Sequence, residues 1–295
     1  MVEMNDMSDL QAKSVAPRIR TLFLTLNPLE AHVVSTMLAH RTLDQNTSIR
    51  SIADESGVSE AMIVKVSKKI GFKGFRDLRA AIAEYNRLPI SEMHQELSPG
   101  DTPTIIIEKV FRTAAKALEE TLAILDPEAV QRAADLLYRA RQRDFYGLGG
   151  SAQIAFDVAH KFLRIGVRAT VYNDAHMMLM SASLLRPGDV IIAFSHSGQT
   201  TAVIEAAHLA RNSGAKVIAV TNYAVSPLTK EADILLCSTA EGSPLTGENA
   251  AARIAQLSIL DAVFVAVANK DYTAAERNLE QTMSAVRPKR SVVMS

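Results

Sequence analysis

The chain has 295 residues, of which 48% are hydrophobic and 22% are charged, a composition that excludes an intrinsically disordered protein. Its formal net charge is zero, so any surface that binds nucleic acid must be a local basic patch. The single cysteine, Cys237, excludes an intrachain disulfide and fits a reducing compartment, and we interpret it as a small buried residue of a strand.

The first ten residues carry acidic side chains and no apolar segment, so they do not have the pattern of a signal peptide. No uncharged apolar run approaches the ~20 residues that a membrane span needs. The longest apolar stretch near the C-terminus, from Ile259 to Ala268, is interrupted by Asp261. We therefore expect a cytoplasmic protein without a membrane partner.

Residues 1–88 are predicted to form an all-helical domain. Asn27 is placed to cap a helix that begins at Pro28, and Glu30 can bond back to the amide of the cap residue. Three further helices are predicted from their cap and turn residues, from Thr47 or Ser48 to Gly57, from Ser59 to Gly71, and from Phe75 to Tyr85.

A linker segment is predicted over residues 89–127. Proline, glycine and small polar residues are concentrated at 98–103, which is typical of a linker, and a long amphipathic helix is predicted to follow over 104–125. A second helix is predicted from Pro127 to about Arg141.

From residue 143 onward, short Val- and Ile-rich runs alternate with helix-length stretches. This alternation predicts a parallel sheet with helices on both faces, which is an α/β domain. A C-terminal helix and tail are assigned to residues 271–295. The strands are predicted at residues 145–148, 167–172, 190–194, 216–220 and 234–237.

The segment from Ser48 to Phe72 has the spacing of a helix-turn-helix motif. A small residue, Ala53, allows two helices to approach each other, and Gly57, four residues later, allows the turn between them. The apolar positions predicted to pack inward are Ile52, Ile63, Val66 and Ile70.

The outer face of the second helix of this motif is predicted to enter the major groove of DNA. Between positions 65 and 79 the chain has six basic residues and one acidic residue, a local excess that suits contacts with phosphates. The charge alone also fits the solvated face of an ordinary helical bundle. The residues predicted to bind DNA are Ser59, Glu60, Ala61, Val64, Lys65, Lys68, Lys69 and Lys73.

Residues ~16 to 90 resemble the N-terminal domain of the RpiR family of bacterial regulators. Lys65 stands where we expect that family to favour arginine, which keeps the charge but weakens bidentate recognition of guanine. The resemblance is carried by Ser51-Ile52-Ala53, Gly57-Val58-Ser59-Glu60-Ala61 and Gly71-Phe72-Lys73-Gly74-Phe75.

Two loops rich in glycine and serine each follow a predicted strand and precede a helix, at 147–151 and 195–200. Backbone amides at the start of a helix bind anions, and the hydroxyls of Ser195, Ser197 and Thr200 add donors. Because the carboxyl ends of parallel strands share one edge, both loops are predicted to open onto one crevice for a phosphorylated ligand. For each loop taken alone, simple helix capping is the alternative.

Residues ~128 to 270 are similar to SIS (sugar isomerase) domains, which bind phosphosugars on a flavodoxin-like sheet. By this resemblance Ser151, beside Gly149 in the first loop, matches a serine that contacts the sugar. Asp174-Ala175-His176 and the run from Ala252 to Leu257 are similar to the regulator branch, whose domain order this chain shares. The residues that match the phosphate loop are Ser195, His196, Ser197, Gln199 and Thr200.

Two alternatives stay open for the ligand-binding half. Gly147, Gly149 and Ala152, with Asp174 further on, form a weak dinucleotide-binding fingerprint, although such a fold does not need the serine-rich second loop. A sugar-phosphate isomerase with a helical assembly domain would need a proton-shuttling base, for which Glu248 is a candidate. We assign Glu248 to ligand binding or to capping of the last long helix.

A second candidate for such a base is His176. We favour a regulator over an enzyme, because a sensor needs affinity without turnover. The predicted partners are an inverted repeat in double-stranded DNA, a phosphosugar effector and further copies of the chain, as a homodimer or homotetramer, with no cofactor and no metal.

Overall fold

The structure is a computed structural model that describes residues 11–89, 97–241 and 250–287. The described residues form two compact units. The first contains those of Met1–Leu125, Asn222–Val225 and Cys237–Ala255, and the second contains those of Asp126–Thr221, Ser226–Leu236 and Gln256–Ser295. The units therefore interleave along the chain, and the linear division at residues 88, 127 and 270 stays a prediction.

The first unit is helical, as predicted. Its helices are α1 (Val15–Thr21), α2 (Pro28–Ala39), α3 (Ile49–Ser56), α4 (Glu60–Lys69), α5 (Phe75–Asn86) and α6 (Pro103–Ile124).

The cap residues explain why α2, α3 and α4 begin where they do. The side chain of Asn27 accepts a hydrogen bond from the amide of Glu30 at 2.9 Å, and the Glu30 carboxylate accepts one from the amide of Asn27 at 3.0 Å, which confirms the predicted capping box. Ser48 and Ser59 cap the next two helices.

Helix α1 was not predicted from the sequence. Its cap residue Ser14 makes no side-chain cap bond within the described residues, so no local signal marks its start. Ala16 and Ile19 of this helix are fully buried, which shows that tertiary packing stabilises it.

The second unit is built around a five-stranded sheet. Its strands are β1 (Arg143–Gly147), β2 (Thr170–Tyr172), β3 (Val190–Phe194), β4 (Lys216–Thr221) and β5 (Ile234–Cys237). The strand order is β2-β1-β3-β4-β5, and the pairs β1–β2, β1–β3 and β3–β4 are parallel. This is the order of a flavodoxin-like sheet and confirms the predicted fold class.

Helices cover both faces of this sheet, so strands β1 and β3 are almost completely buried. Phe145 lies edge-on to Phe194 with ring centroids 6.1 Å apart, and it also packs at 6.0 Å from Phe162. The helices that follow α6 are α7 (Pro127–Arg139), α8 (Gly150–Arg164), α9 (Ala175–Leu184), α10 (Thr201–Asn212), α11 (Ala250–Ala268) and α12 (Tyr272–Val286).

Strand β2 is shorter than the predicted run 167–172. It pairs with β1 through three residues only, Thr170 to Tyr172, because it lies at the edge of the sheet and follows a turn at Gly166, where φ is +81°. At the other edge, Cys237 is half-buried, whereas the sequence predicted a buried residue. Partial burial raises the pKa of its thiol to about 12, which fits an unreactive residue.

One helical stretch, Ala250–Val286, is long and apolar enough to cross a membrane by length and composition. The sequence criterion of an uncharged apolar run did not select this stretch, because α11 contains Arg253 and Asp261. One side of α11 packs on α8: Phe264 stacks on Phe162 at 6.0 Å, and Asp261 pairs with Lys161 at 2.5 Å.

Candidate functional sites

The helix-turn-helix geometry predicted from the sequence is present in α3 and α4. Gly57 has φ +65°, a left-handed conformation that glycine adopts without steric cost, and it ends α3. The four positions predicted to pack inward all lie in the core of this domain, namely Ile52, Ile63, Val66 and Ile70.

Most of the residues predicted to bind DNA are exposed on or next to α4. Val64 differs, since it is half-buried and packs against the core. The hydroxyl of Ser59 accepts a hydrogen bond from the amide of Met62 at 3.3 Å, so it caps α4. The exposed residues of the predicted set are Ser59, Glu60, Ala61, Lys65, Lys68, Lys69 and Lys73.

Three of the basic residues near this face have partners inside the domain, and the most weakly held, Lys65, lies 3.8 Å from the carboxylate of Glu30. Lys69 donates to the buried carboxylate of Glu30 at 2.5 Å, and this bond holds the pKa of Glu30 below its usual range. Arg79 donates to the carbonyl of Thr47 at 2.7 Å. Lys68, by contrast, makes no ion pair with any described residue, so its charge is directed to solvent.

Lys68→Ala is expected to weaken binding to DNA about equally for all sequences and to reduce the slope of log affinity against log salt by roughly one. The physical reason is that one fewer counterion is released when one phosphate contact is lost. Anisotropy titrations at several salt concentrations measure the slope. Arg132→Ala on α7 removes one exposed charge outside the motif and should leave the slope unchanged. An unchanged slope in Lys68→Ala would remove Lys68 from the phosphate contacts.

The two predicted ligand loops leave neighbouring strands at the same level. Gly147, at the end of β1, is paired with Phe194, at the end of β3. The loops at 148–151 and 195–200 therefore begin side by side, at the point where the strand order reverses. A Cβ at Gly147 would lie 3.1 Å from the backbone of Ser151, so this position favours glycine.

Each loop leads directly into a helix. In the first turns of these helices, the amides of Ser151, Ala152 and Val203 donate to carbonyls of the preceding loop residues at 3.1, 3.2 and 3.0 Å. The residues before α8 and α10 are Gly149 and Thr200, and within the described chain neither makes a side-chain cap bond. The helix-capping alternative is therefore not what the structure shows for these two helices. The positive ends of two helix dipoles therefore lie at one edge of the sheet, where they favour an anion.

The second loop is held by its own hydrogen bonds. The hydroxyls of Ser195 and Thr200 lie 2.9 Å apart, and Ser197 accepts a bond from the amide of Gln199 at 3.2 Å. The carbonyl of His196 accepts a bond from Thr221 at 3.0 Å. Ser195 is buried, whereas Gln199 is exposed and Ser197 is half-buried, so the loop presents only part of its polar set.

Other candidate residues lie apart from these loops or outside the description. Asp174 accepts a bond from the amide of Met177 at 3.0 Å and caps α9, which accounts for this carboxylate without a ribose. His176 is exposed in the first turn of α9. Glu248 lies outside the described residues. Within the described ranges, no group of three or more His, Cys, Asp or Glu could hold a metal ion.

Sequence reasoning missed a buried charged cluster in the first unit. The carboxylate of Glu120 on α6 accepts hydrogen bonds from Arg20 of α1 at 2.5 and 2.9 Å and from the hydroxyl of Tyr85 of α5 at 2.5 Å. Lys116 of α6 and Arg20 both pair with Glu241, at 3.1 and 2.8 Å. No motif marks these residues, because they are distant in sequence.

The cluster links three helices and the segment after β5. Thr121 of α6 exchanges two hydrogen bonds with the backbone of Thr239, at 3.1 and 3.2 Å. Burial lowers the pKa of Lys116, while the attraction of Glu241 opposes that shift. Glu120, Thr121 and Lys116 are almost completely buried, so α6 is attached to this unit through polar side chains.

These features define a helix-turn-helix domain followed by an α/β domain of the sugar isomerase type. Residues 13–87 match the family described as "Helix-turn-helix domain, rpiR family", and residues 136–266 match the SIS domain. The chain belongs to the RpiR family of HTH-type transcriptional regulators.

Relatives with known names support this membership. The chain is 44% identical over 272 residues to the HTH-type transcriptional regulator RpiR of Escherichia coli, covering 92% of each chain. It is 31% identical to the regulator HexR of Pseudomonas aeruginosa, covering 86% of this chain and 89% of that one. Among solved structures, Vibrio vulnificus NanR in complex with ManNAc-6P has a TM-score of 0.60 and 26% identity, covering 94% of this chain and all of that one.

Proposed function

We propose that this chain is a cytoplasmic transcription regulator that binds DNA through α4 and changes its DNA affinity when a phosphorylated sugar binds its SIS domain. The observation that carries the proposal is the side-by-side start of two loops, each leading into a helix without a side-chain cap, at the end of β1 and β3. The ManNAc-6P complex of Vibrio vulnificus NanR supports a sugar phosphate as the ligand.

In this proposal the helical domain comprises residues 1–88, the linker 89–127, the SIS domain 128–270 and the terminal helix and tail 271–295. Two or four chains associate, and paired helical domains bind an inverted repeat that controls genes of sugar metabolism. The ligand contacts would come from the loops of the SIS domain and from Glu248.

In this proposal, helix α6 transmits the effect of sugar-phosphate binding to the helical domain. This helix is bonded to α1 and α5 of the helical domain through Glu120, and to Thr239 and Glu241 through Thr121 and Lys116. Glu241 precedes Glu248 by seven residues in the chain. A ligand that binds this stretch of chain more tightly in one conformational state than in the other would favour that state. The equilibrium between the two states of the helical domain can change by no more than the difference in the ligand's binding free energy.

The experiment that tests the proposal is an anisotropy titration of the purified full-length protein on its own upstream DNA, in moderate salt with excess nonspecific competitor. Each member of a phosphosugar panel is then added in turn. We expect specific binding that one sugar phosphate alters. Failure to bind DNA specifically, together with steady turnover of a sugar phosphate, would favour the isomerase alternative.

The double variant Ser195→Ala, Ser197→Ala is expected to lose the response to the sugar phosphate while retaining DNA affinity. Its two hydroxyls lie in the proposed phosphate loop, whereas α4 lies in the other compact unit. The same anisotropy assay measures both properties, with Ser183→Ala as a control because that exposed serine bonds only locally to the carbonyl of Met180 within the described chain. A normal response in the double variant would place the site elsewhere.

A further inference from the structure

Helix α6 buries a mostly polar side and exposes an apolar side, which is the reverse of a helix that packs on an apolar core. Its buried side consists of Lys116, Ala117, Glu120 and Thr121. Its outward side has large apolar residues, and the most exposed, Phe111, has 73% of its surface accessible. Surfaces of this kind mark sites of interaction, because burying apolar area is the main favourable term in association.

Four of these residues form what we call the α6 stripe: Ile107, Phe111, Leu118 and Leu122, which are 60%, 73%, 36% and 66% exposed. Three further apolar residues lie outside the stripe, around the N-terminal half of the helix: Ile105, Ile106 and Val110, which are 40%, 41% and 39% exposed. Their spacing of four, seven and four places them within about 60° of one another around the helix. A narrow stripe of this kind is the seam that a second helix covers along its length.

The α6 stripe is symmetric about its own centre. Ala114 and Ala115 lie at the midpoint, with Phe111 and Leu118 at equal distances outward, followed by Ile107 and Leu122. An antiparallel copy of the helix would therefore place Phe111 against Leu118 and Ile107 against Leu122. The small alanines would lie at the crossing, where two helix backbones come closest.

We propose that the α6 stripe is an interface between two copies of this chain, in which the two α6 helices pack antiparallel about a two-fold axis at Ala114 and Ala115. The inference specifies the pairing of chains that the proposed function assumes. Segment 90–96, next to α6 in sequence, carries only Ile90 and Met93 as large apolar residues, too few to cover the stripe. The four stripe residues of each copy would supply the buried apolar centre of the interface.

Cysteine cross-linking tests the direction of packing without DNA or sugar, so its outcome is separate from that of the DNA-binding experiment. Ala115→Cys should form a disulfide-linked dimer under mild oxidation, because the two copies of this residue meet at the axis. Ile107→Cys should not, since its two copies would be roughly 22 Å apart along the helices. Wild type controls for Cys237. Cross-linking of both variants would indicate parallel helices, and cross-linking of neither would leave the stripe unpaired; either result overturns the proposal.

Sedimentation of the full-length chain tests the energetics. Phe111→Lys and Leu118→Glu should each weaken one association step by at least about 100-fold, whether that step joins monomers or dimers. The chain that carries both substitutions should recover to within about tenfold of wild type, because each lysine would face a partner glutamate only in antiparallel helices. Both positions are exposed in the single chain, so circular dichroism and Tm should stay close to wild type. Wild-type association in the single variants, or no recovery in the double variant, would refute the interface.

Discussion

Glu120→Ala is expected to lower the free energy of unfolding of the first unit by about 3 kcal/mol, near the lower end of the cost of breaking a buried ion pair. The substitution would leave Arg20 and the hydroxyl of Tyr85 buried without their main acceptor. Glu241 still faces Arg20 at 2.8 Å and Lys116 at 3.1 Å, which limits the loss. Urea unfolding of the full chain, followed by circular dichroism, measures the change.

A matched control for this variant lies next to it in the sequence. Glu119 is half-exposed and pairs only with Lys13 at 3.3 Å among the described residues, so Glu119→Ala should cost less than about 1 kcal/mol. Glu120→Gln should fall between the two, because the amide oxygen can still accept one hydrogen bond but carries no charge. Equal stability of the Glu119 and Glu120 alanine variants would show that the buried cluster does not stabilise the attachment of α6.

Gly198→Ala is expected to abolish the response to sugar phosphate, with an affinity loss of at least about 100-fold. Gly198 has φ +65°, and a Cβ there would lie 2.2 Å from the hydroxyl oxygen and 2.5 Å from the Cβ of Ser226. The Cβ of Ser226 is bonded to the backbone and cannot rotate away, so the backbone of Ser226 or of the loop that contains Ser195 and Ser197 must move. A displacement of about 1 Å in such a loop is enough to break the hydrogen bonds between the loop and a bound ligand.

Gly188→Ala separates this steric effect from backbone strain. Gly188 also has a positive φ, +92°, but a Cβ there would meet no described atom within 4 Å. Both variants lose the conformational freedom of glycine, and only Gly198→Ala adds a collision in the loop. The ligand-induced shift in Tm and the ligand-dependent anisotropy compare them. A response in Gly198→Ala as strong as in Gly188→Ala would show that the loop tolerates the added Cβ, and the proposed crowding is wrong.

Much of the fold could be predicted because its determinants are local. Asn27, Ser48 and Ser59 cap helices through bonds that span three residues, and Gly57 allows the left-handed turn at its own position. Strands β3 and β5 lie where continuous apolar runs predicted them. Helix α1 was missed since it has no cap signal and depends on burial of Ala16 and Ile19 against distant residues.

The candidate sites show the same division. The loops of the SIS domain were found from glycine and serine placed between a strand and a helix, and the comparisons with relatives confirm the family. The sequence did not show which basic residues near α4 have partners inside the domain and which face solvent. Lys69 has a partner in Glu30, 39 residues away, and Arg79 has one in Thr47, 32 residues away.

The sequence by itself determined that this chain joins a helix-turn-helix domain to a flavodoxin-like domain with two loops rich in glycine and serine, because caps, turns and apolar periodicity act over a few residues. Only the tertiary structure decided which charges are available and which are buried. Arg20, Glu120 and Glu241 come together across 100 residues or more of chain, and burial makes them partners, because an isolated charge could not leave water.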